Sequence, residues 1–282
     1  MATKQKKTTS NKQRKAKQAA KSQNRLILVV AVLILGLSCF ASYLWGRHDG
    51  QRTQTAHKPI SKVIGSHPLT PLSEVTPSYD VKHDTAIPPV VNGIAPLIIQ
   101  LPTKQPIVFL GIDDGGNKQA FELKLMKDNN VKASLFLSDL FIKDNRGFFK
   151  DFVTAGSLIE DHTVNHKLLS KLTYDQQKQE ICDEANMQMV EFGRRPVIFR
   201  PPGGDYNLDT QRAAAACGMK AVVNWIAKAN GGSMQYQIGN SLRPGDIVLM
   251  HFRPEFAADM QAFLDAEKAA GLHTELLENW LP

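Results

Sequence analysis

The chain has 282 residues, 43% of them hydrophobic, with 34 Lys and Arg against 27 Asp and Glu and a formal net charge of +7. Nine of those bases fall in residues 1–25 without one acid, so the remainder holds 25 bases against 27 acids. A slightly acidic remainder carries no basic footprint for nucleic acid, and this hydrophobic content excludes a chain disordered throughout.

Residues 1–25 read as a basic cytoplasmic tail. Leu26 to Trp45 follows with twenty residues and no charge, enough at about 1.5 Å per residue to cross a hydrocarbon core of about 30 Å. It reads as a transmembrane helix over 26–45. Eight Lys and Arg in residues 6–25 against four in 46–65 predict the N-terminus inside, with Tyr43 and Trp45 at the outer interface. The competing reading is a cleaved signal peptide, since Cys39-Phe40-Ala41 is a passable small-residue site and Leu37-Ser38-Cys39 is faintly similar to a lipoprotein box. The uncharged run continues past both. One reading places the protein in the cell membrane with an extracytoplasmic domain, the other secretes it. Residues 46–88 are polar and interrupted, and residues 46–105 hold eight of the fifteen prolines, so 46–88 reads as a Pro-rich extracytoplasmic linker.

From residue 89 to 282 short apolar runs alternate with helical patterns. The strands are Ile107–Ile112, Ala133–Leu137, Ser157–Ile159, Val197–Phe199, Ala221–Val223 and Ile247–Met250. The clearest helix runs from Thr173 to Phe192, with Thr173 and Gln176 as a capping box and Gly193 as the exit. A second ends at Cys217-Gly218, and a third runs from near Glu255 to Gly271. Buried strands alternating with helices predict an α/β fold of parallel β/α units, closed or nearly closed into a barrel. Cys182 and Cys217 belong to no metal-binding pattern. One bridge between them stays open, and two separate small core residues are the commoner arrangement.

Polar residues recur at the ends of these strands: Asp113-Asp114-Gly115-Gly116, then Glu160-Asp161-His162 through His166, then Arg200-Pro201-Pro202-Gly203-Gly204, and His251. In a parallel β/α fold those ends open onto one face. His162 and His166 are four apart, which on a helical turn brings two imidazoles to one ion. Residue 163 is Thr, which removes the metallopeptidase motif whose glutamate is the base. Two ordinary histidines are the bland alternative, and the neighbouring aspartate pair weighs against it. Asp114 can be the third ligand, with a position left for water, and Asp113 a free carboxylate base. Two adjacent aspartates repel unless a cation or arginine offsets them.

Asp113-Asp114-Gly115, His162 to His166, Arg200 to Gly204 and Leu249-Met250-His251 resemble, in order and spacing, motifs one, two, three and five of the NodB-homology polysaccharide deacetylases, carbohydrate esterase family 4. The resemblance covers about residues 89–282. It implies a distorted (β/α) barrel that removes acetyl groups from N-acetylated sugars or acetylated xylan with one divalent ion. By position, Asp114, His162 and His166 would be the metal ligands, Asp113 the general base, Arg200 its holder and His251 the general acid. Zn2+ suits two His and one Asp, with Co2+, Ni2+ and Mn2+ admissible. Pro202, Gly203, Trp225 and Leu249 would line the substrate site, although Trp225 and Leu249 suit plain core packing equally well.

The sequence also departs from the family pattern. Gly111-Ile112 stands where motif one usually has Thr-Phe, and Gly203 where motif three usually has an aromatic. Motif four commonly places an Asp after the Trp to orient the catalytic His, and none follows Trp225; Asn230 and Asp246 are the nearby candidates to replace it. The expected function is a metal-dependent deacetylase of cell-envelope glycan, with peptidoglycan as substrate. The alternatives are a glycan-binding protein that lost turnover on the same fold, and a hydrolase of another acyl or amide bond.

Overall fold

The computed structural model describes residues 83–282. Ten strands, β1 (Leu97–Ile98), β2 (Ile107–Asp114), β3 (Ser134–Leu137), β4 (Leu158–Asp161), β5 (Ile198–Phe199), β6 (Ala221–Val223), β7 (Ala227–Ala229), β8 (Met234–Tyr236), β9 (Ile247–His251) and β10 (His273–Glu275), form one sheet. Its order is β1-β6-β5-β4-β3-β2-β9-β7-β8, with β10 also on β2. Every pairing between named strands is parallel except β7 with β8. Among the described residues no pairing joins β1 to β8, so the predicted barrel is curved but incompletely closed.

The helices α1 (Ala120–Asp128), α2 (Asp139–Ile142), α3 (Lys150–Thr154), α4 (Tyr174–Phe192), α5 (Leu208–Ala216) and α6 (Phe256–Ala270) lie between the strands in sequence. Strand alternation sorts the core. Val108, Leu110, Leu135, Val248 and Met250 join one cluster with Phe256, Met260 and Phe263 of α6. Ile107, Phe109, Phe136 and Ile247 face the opposite, inner side in a second cluster. On β2 and β9 that inner face continues to Asp113 and His251, which are register partners. The six predicted strands are all present. The unpredicted β1, β7, β8 and β10 have two or three residues each, too few to display a period.

All three predicted helices form. Thr173 accepts from the Gln176 N–H while Gln176 accepts from the Thr173 N–H, and Gly193 exits at φ +74°. The buried stripe of α4 is mostly polar, with Gln177, Glu180, Glu184 and Gln188 beside Ile181 and Ala185. Two expectations change. Cys182 on α4 and Cys217 at the end of α5 form a disulfide with Cα atoms 5.0 Å apart, because these helices pack side by side and bring the sulfurs into bonding range. The last residues given to the linker also belong to the folded unit: Ile87 is buried, its N–H donates to the Trp280 carbonyl, and His83 stacks on Trp280. The predicted tail at 1–25, span at 26–45 and most of the linker lie outside the described residues. Among the described residues no helix is long and apolar enough to cross a membrane.

Candidate active site

The two aspartates leave β2 in different directions. Asp113 continues the inner face and is 3% exposed. Asp114 turns at φ +74°, which carries its carboxylate over the strand end. Arg200, at the end of β5 and wholly buried, donates from Nη1 to Asp113 Oδ1 at 2.7 Å and from Nε to the Val223 carbonyl at 3.3 Å. Its guanidinium lies over the Phe136 ring, 4.1 Å from the centroid. Gly111 makes room on another side, since a Cβ there would stand 2.3 Å from Nη1.

His162 and His166 meet at Asp114, but not on a helical turn as the spacing predicts. They occupy a loop after β4 in which Thr163 and His166 adopt φ +69° and +51°. The loop is tied by the Thr163 N–H to Asp161 Oδ1 and the His166 N–H to Thr163 Oγ1. These ties, and not i, i+4 geometry, bring the ring centroids to 4.9 Å. His162 Nδ1 lies 2.6 Å from the Arg200 carbonyl oxygen, so Nδ1–H donates there and Nε2 is the ring nitrogen turned toward the two aspartates. Nε2 stands 3.5 Å from Asp114 Oδ1 and 3.7 Å from Asp113 Oδ2, and His166 Nε2 stands 3.1 Å from Asp114 Oδ1.

Electrostatics follow from this crowding. Burial pushes the Asp114 carboxyl up, but hydrogen bonds from His162 and His166 outweigh it and hold the group far below the carboxylate range. Burial pushes His162 down, and Asp113 and Asp114 together reverse that into a net rise. Asp114, His162 and His166 offer one carboxylate oxygen and two imidazole nitrogens, all within 4.8 Å of one another. That donor set, with His162 fixed by a backbone carbonyl behind it, fits a divalent ion with open positions.

His251 stands at the end of β9 opposite Asp113. Its orienting group is one that sequence reasoning missed: Arg253 Nη2 donates to His251 Nδ1, and Arg253 Nη1 is held by Asn230 Oδ1 at 3.0 Å. Asn230 therefore acts on Arg253, not on the histidine. Asp246 sits before the start of β9, bound to Arg243 and Gln100, so it replaces nothing. Burial first, and then the Arg253 cation, hold His251 below the ordinary imidazole value against the pull of Asp113 and Asp114. The only sequence signal for Arg253 was its position two residues past the histidine.

The remaining predicted residues surround this centre. Pro202 is buried in the turn after β5; Gly203 is exposed at φ +63°, and a Cβ there would meet only Leu168 Cδ2 at 3.4 Å. The site is open where the family pattern has an aromatic. Trp225 is half-buried, 5.9 Å from the Arg200 guanidinium, and Leu249 is buried on the inner face opposite Gly111. Behind the loop lies a group of buried acids that sequence reasoning did not single out. Burial raises Asp161 and Glu160 well above the carboxylate range and Glu184 to about 8.

A family model described as polysaccharide deacetylase matches residues 100–222. An uncharacterized protein of Streptomyces coelicolor is 33% identical over 211 residues, covering 73% of this chain and 82% of that one. A peptidoglycan-N-acetylglucosamine deacetylase of Bacillus cereus is 26% identical over 161 residues, 54% of this chain and 75% of that one. Among solved structures, a CE4 family pseudoenzyme from Bacillus anthracis superposes with TM-score 0.58 at 21% identity, over 66% of this chain and 69% of that one. The family 4 carbohydrate esterase PdaA of Bacillus subtilis superposes with TM-score 0.55 at 20% identity, over 67% and 85%.

Proposed function

The chain belongs to the polysaccharide deacetylase family, and from that membership we propose that it hydrolyses N-acetyl groups on a cell-envelope glycan, peptidoglycan first, with a divalent ion held by Asp114, His162 and His166. One observation carries the reading: Asp114 Oδ1 lies between two imidazole Nε2 atoms at 3.5 and 3.1 Å, while Asp113 beside it is held by Arg200. A divalent ion bound there supplies Lewis-acid polarisation and a more acidic water. Zn2+ suits the donors best, with Co2+, Ni2+ or Mn2+ alternatives.

The chain's own residues supply the rest. Asp113, fixed by Arg200, takes a proton from the attacking water. The exposed turn at Gly203 offers a backbone N–H to the oxygen that gains charge. The departing sugar nitrogen needs a proton, because an amine anion is a very poor leaving group, and His251 is the group placed to give it. Pro202, Trp225 and Leu249 border the space for the acetylated sugar. The Cys182–Cys217 bridge supports an oxidising, extracytoplasmic location. In that location the 26–45 segment serves as a membrane anchor, or is removed as a signal.

A second reading, a glycan-binding protein without turnover, is favoured by Arg253. Its guanidinium donates to His251 Nδ1 and opposes the imidazolium that an acid needs. Acetate release from cell-wall fragments by the full chain, with and without chelator, separates the two. Release that chelator abolishes and a divalent salt restores supports the hydrolase. Binding without any release selects the second reading, and release indifferent to chelator removes the metal from the first.

A further inference from the structure

Lys228 is a cation on the inner face with nothing assigned to it. Its neighbours Ala227 and Ala229 are buried in the cluster shared with α6, so strand alternation turns Lys228 to the opposite side. Register then places it. Gly111 lies opposite Leu249, Leu249 opposite Lys228, and Lys228 opposite Gln235; two residues further along, Asp113 lies opposite His251. With strands about 4.8 Å apart and about 3.3 Å of rise per residue, the Lys228 Cα is about 8 Å from that of His251. The flexible four-carbon stem of a lysine covers much of that gap.

Beside it opens a cavity of about 260 Å³ lined by Trp225, Ala227, Lys228, Gln235, Tyr236 and Gln237. No acid lines this space. Among the described residues the Lys228 ammonium has no ion pair or hydrogen bond. Gln237 Nε2 is already used on the Trp225 carbonyl at 2.9 Å, while the lysine ammonium and the Gln235 amide keep their donors free. Trp225, which packs against the inner cluster, adds ring surface of the kind that accepts the apolar face of a sugar. An unpaired ammonium next to aromatic surface and a free amide is complementary to an anionic saccharide.

We propose that this cavity binds a carboxylate of the glycan, so that the site selects an acidic saccharide, one with a carboxylate-bearing substituent on or next to the acetylated sugar. The inference rests on the reading of the substrate as a glycan, not on turnover.

The test uses the full chain and two probes: neutral chitotetraose, and a tetrasaccharide in which alternate N-acetylglucosamine units carry a 3-O-lactyl ether. Calorimetric Kd values at low salt should favour the acidic probe about fivefold, and added salt should shrink the preference. Lys228→Arg should keep the preference, Lys228→Gln should bring the ratio to about one, and Lys228→Glu should invert it. The Arg variant guards against a loss caused by misfolding. Equal affinities in the wild type, binding of neither probe, or a preference that survives Lys228→Gln would each overturn the inference. Acetate release on the same probes separates it from the hydrolase reading. Lys228-dependent preference without release sinks hydrolysis alone, and release with no preference sinks the carboxylate site alone.

Discussion

The packing of Arg200 against Gly111 makes a one-atom perturbation informative. Gly111→Ala would put a methyl group 2.3 Å from Arg200 Nη1, 2.5 Å from Nη2 and 2.7 Å from Cζ, where ordinary contact begins near 3.4 Å. The guanidinium must retreat by about 1 Å, but it is wholly buried and rests on the Phe136 ring. The movement opens the 2.7 Å ion pair to Asp113. Misplacing a catalytic group by about 1 Å costs about a hundredfold in rate. Breaking a buried pair costs about 3–5 kcal/mol, less where the site relaxes. The assay is initial acetate release together with urea unfolding, for Gly111→Ala, Arg200→Ala and the double variant. If Gly111 acts through Arg200, the methyl adds little once the arginine is gone, giving a strongly non-additive cycle. Near-wild-type rates in Gly111→Ala, or losses that simply add, would refute the steric argument. The family motif has Thr at this position, so the close approach exists here because residue 111 is glycine.

Removing the disulfide by Cys182→Ser and Cys217→Ser opens a loop with a sequence separation of 35. The chain-entropy relation gives about 4 kcal/mol of lost stability, read as a lower urea midpoint; an unchanged midpoint in the oxidised protein would contradict the bridge. Glu184, buried and pushed up to about 8, is raised above its unfolded value. Its contribution is therefore complete below about pH 4.5 and is lost as pH rises toward 8, by up to a few kcal/mol. Glu184→Gln should flatten the unfolding free energy between those limits, and parallel profiles for variant and wild type would remove Glu184 as the cause. Replacing Arg253 with Ala deletes a cation from His251 Nδ1, so the histidine titrates at higher pH in an NMR titration; a shift downward, or none, would show that burial alone sets its value.

The sequence by itself determined the parts whose physics is local or periodic. Apolar strand runs such as Ile107–Ile112 and Ile247–Met250, the Thr173 cap with its Gly193 exit, and the recurrence of ligand-type residues after strands followed from alternation, capping chemistry and parallel topology. They sufficed to nominate Asp113, Asp114, His162 and His166, while the roles of Arg200 and His251 came from the resemblance to the deacetylase motifs. The tertiary structure decided whatever depends on partners distant in the chain. The His162 and His166 rings converge through a left-handed loop tied to Asp161 and Thr163, where spacing alone implied a helical turn. Cys182 and Cys217 bond because α4 and α5 lie side by side, a fact that no cysteine spacing encodes. Arg253 occupies the place where a carboxylate was sought, and Lys228 reaches the inner face only through the register of strands too short to show a period. A three-residue strand has no pattern to read, and a side-chain pairing across dozens of residues exists only once the sheet has fixed which strands are neighbours.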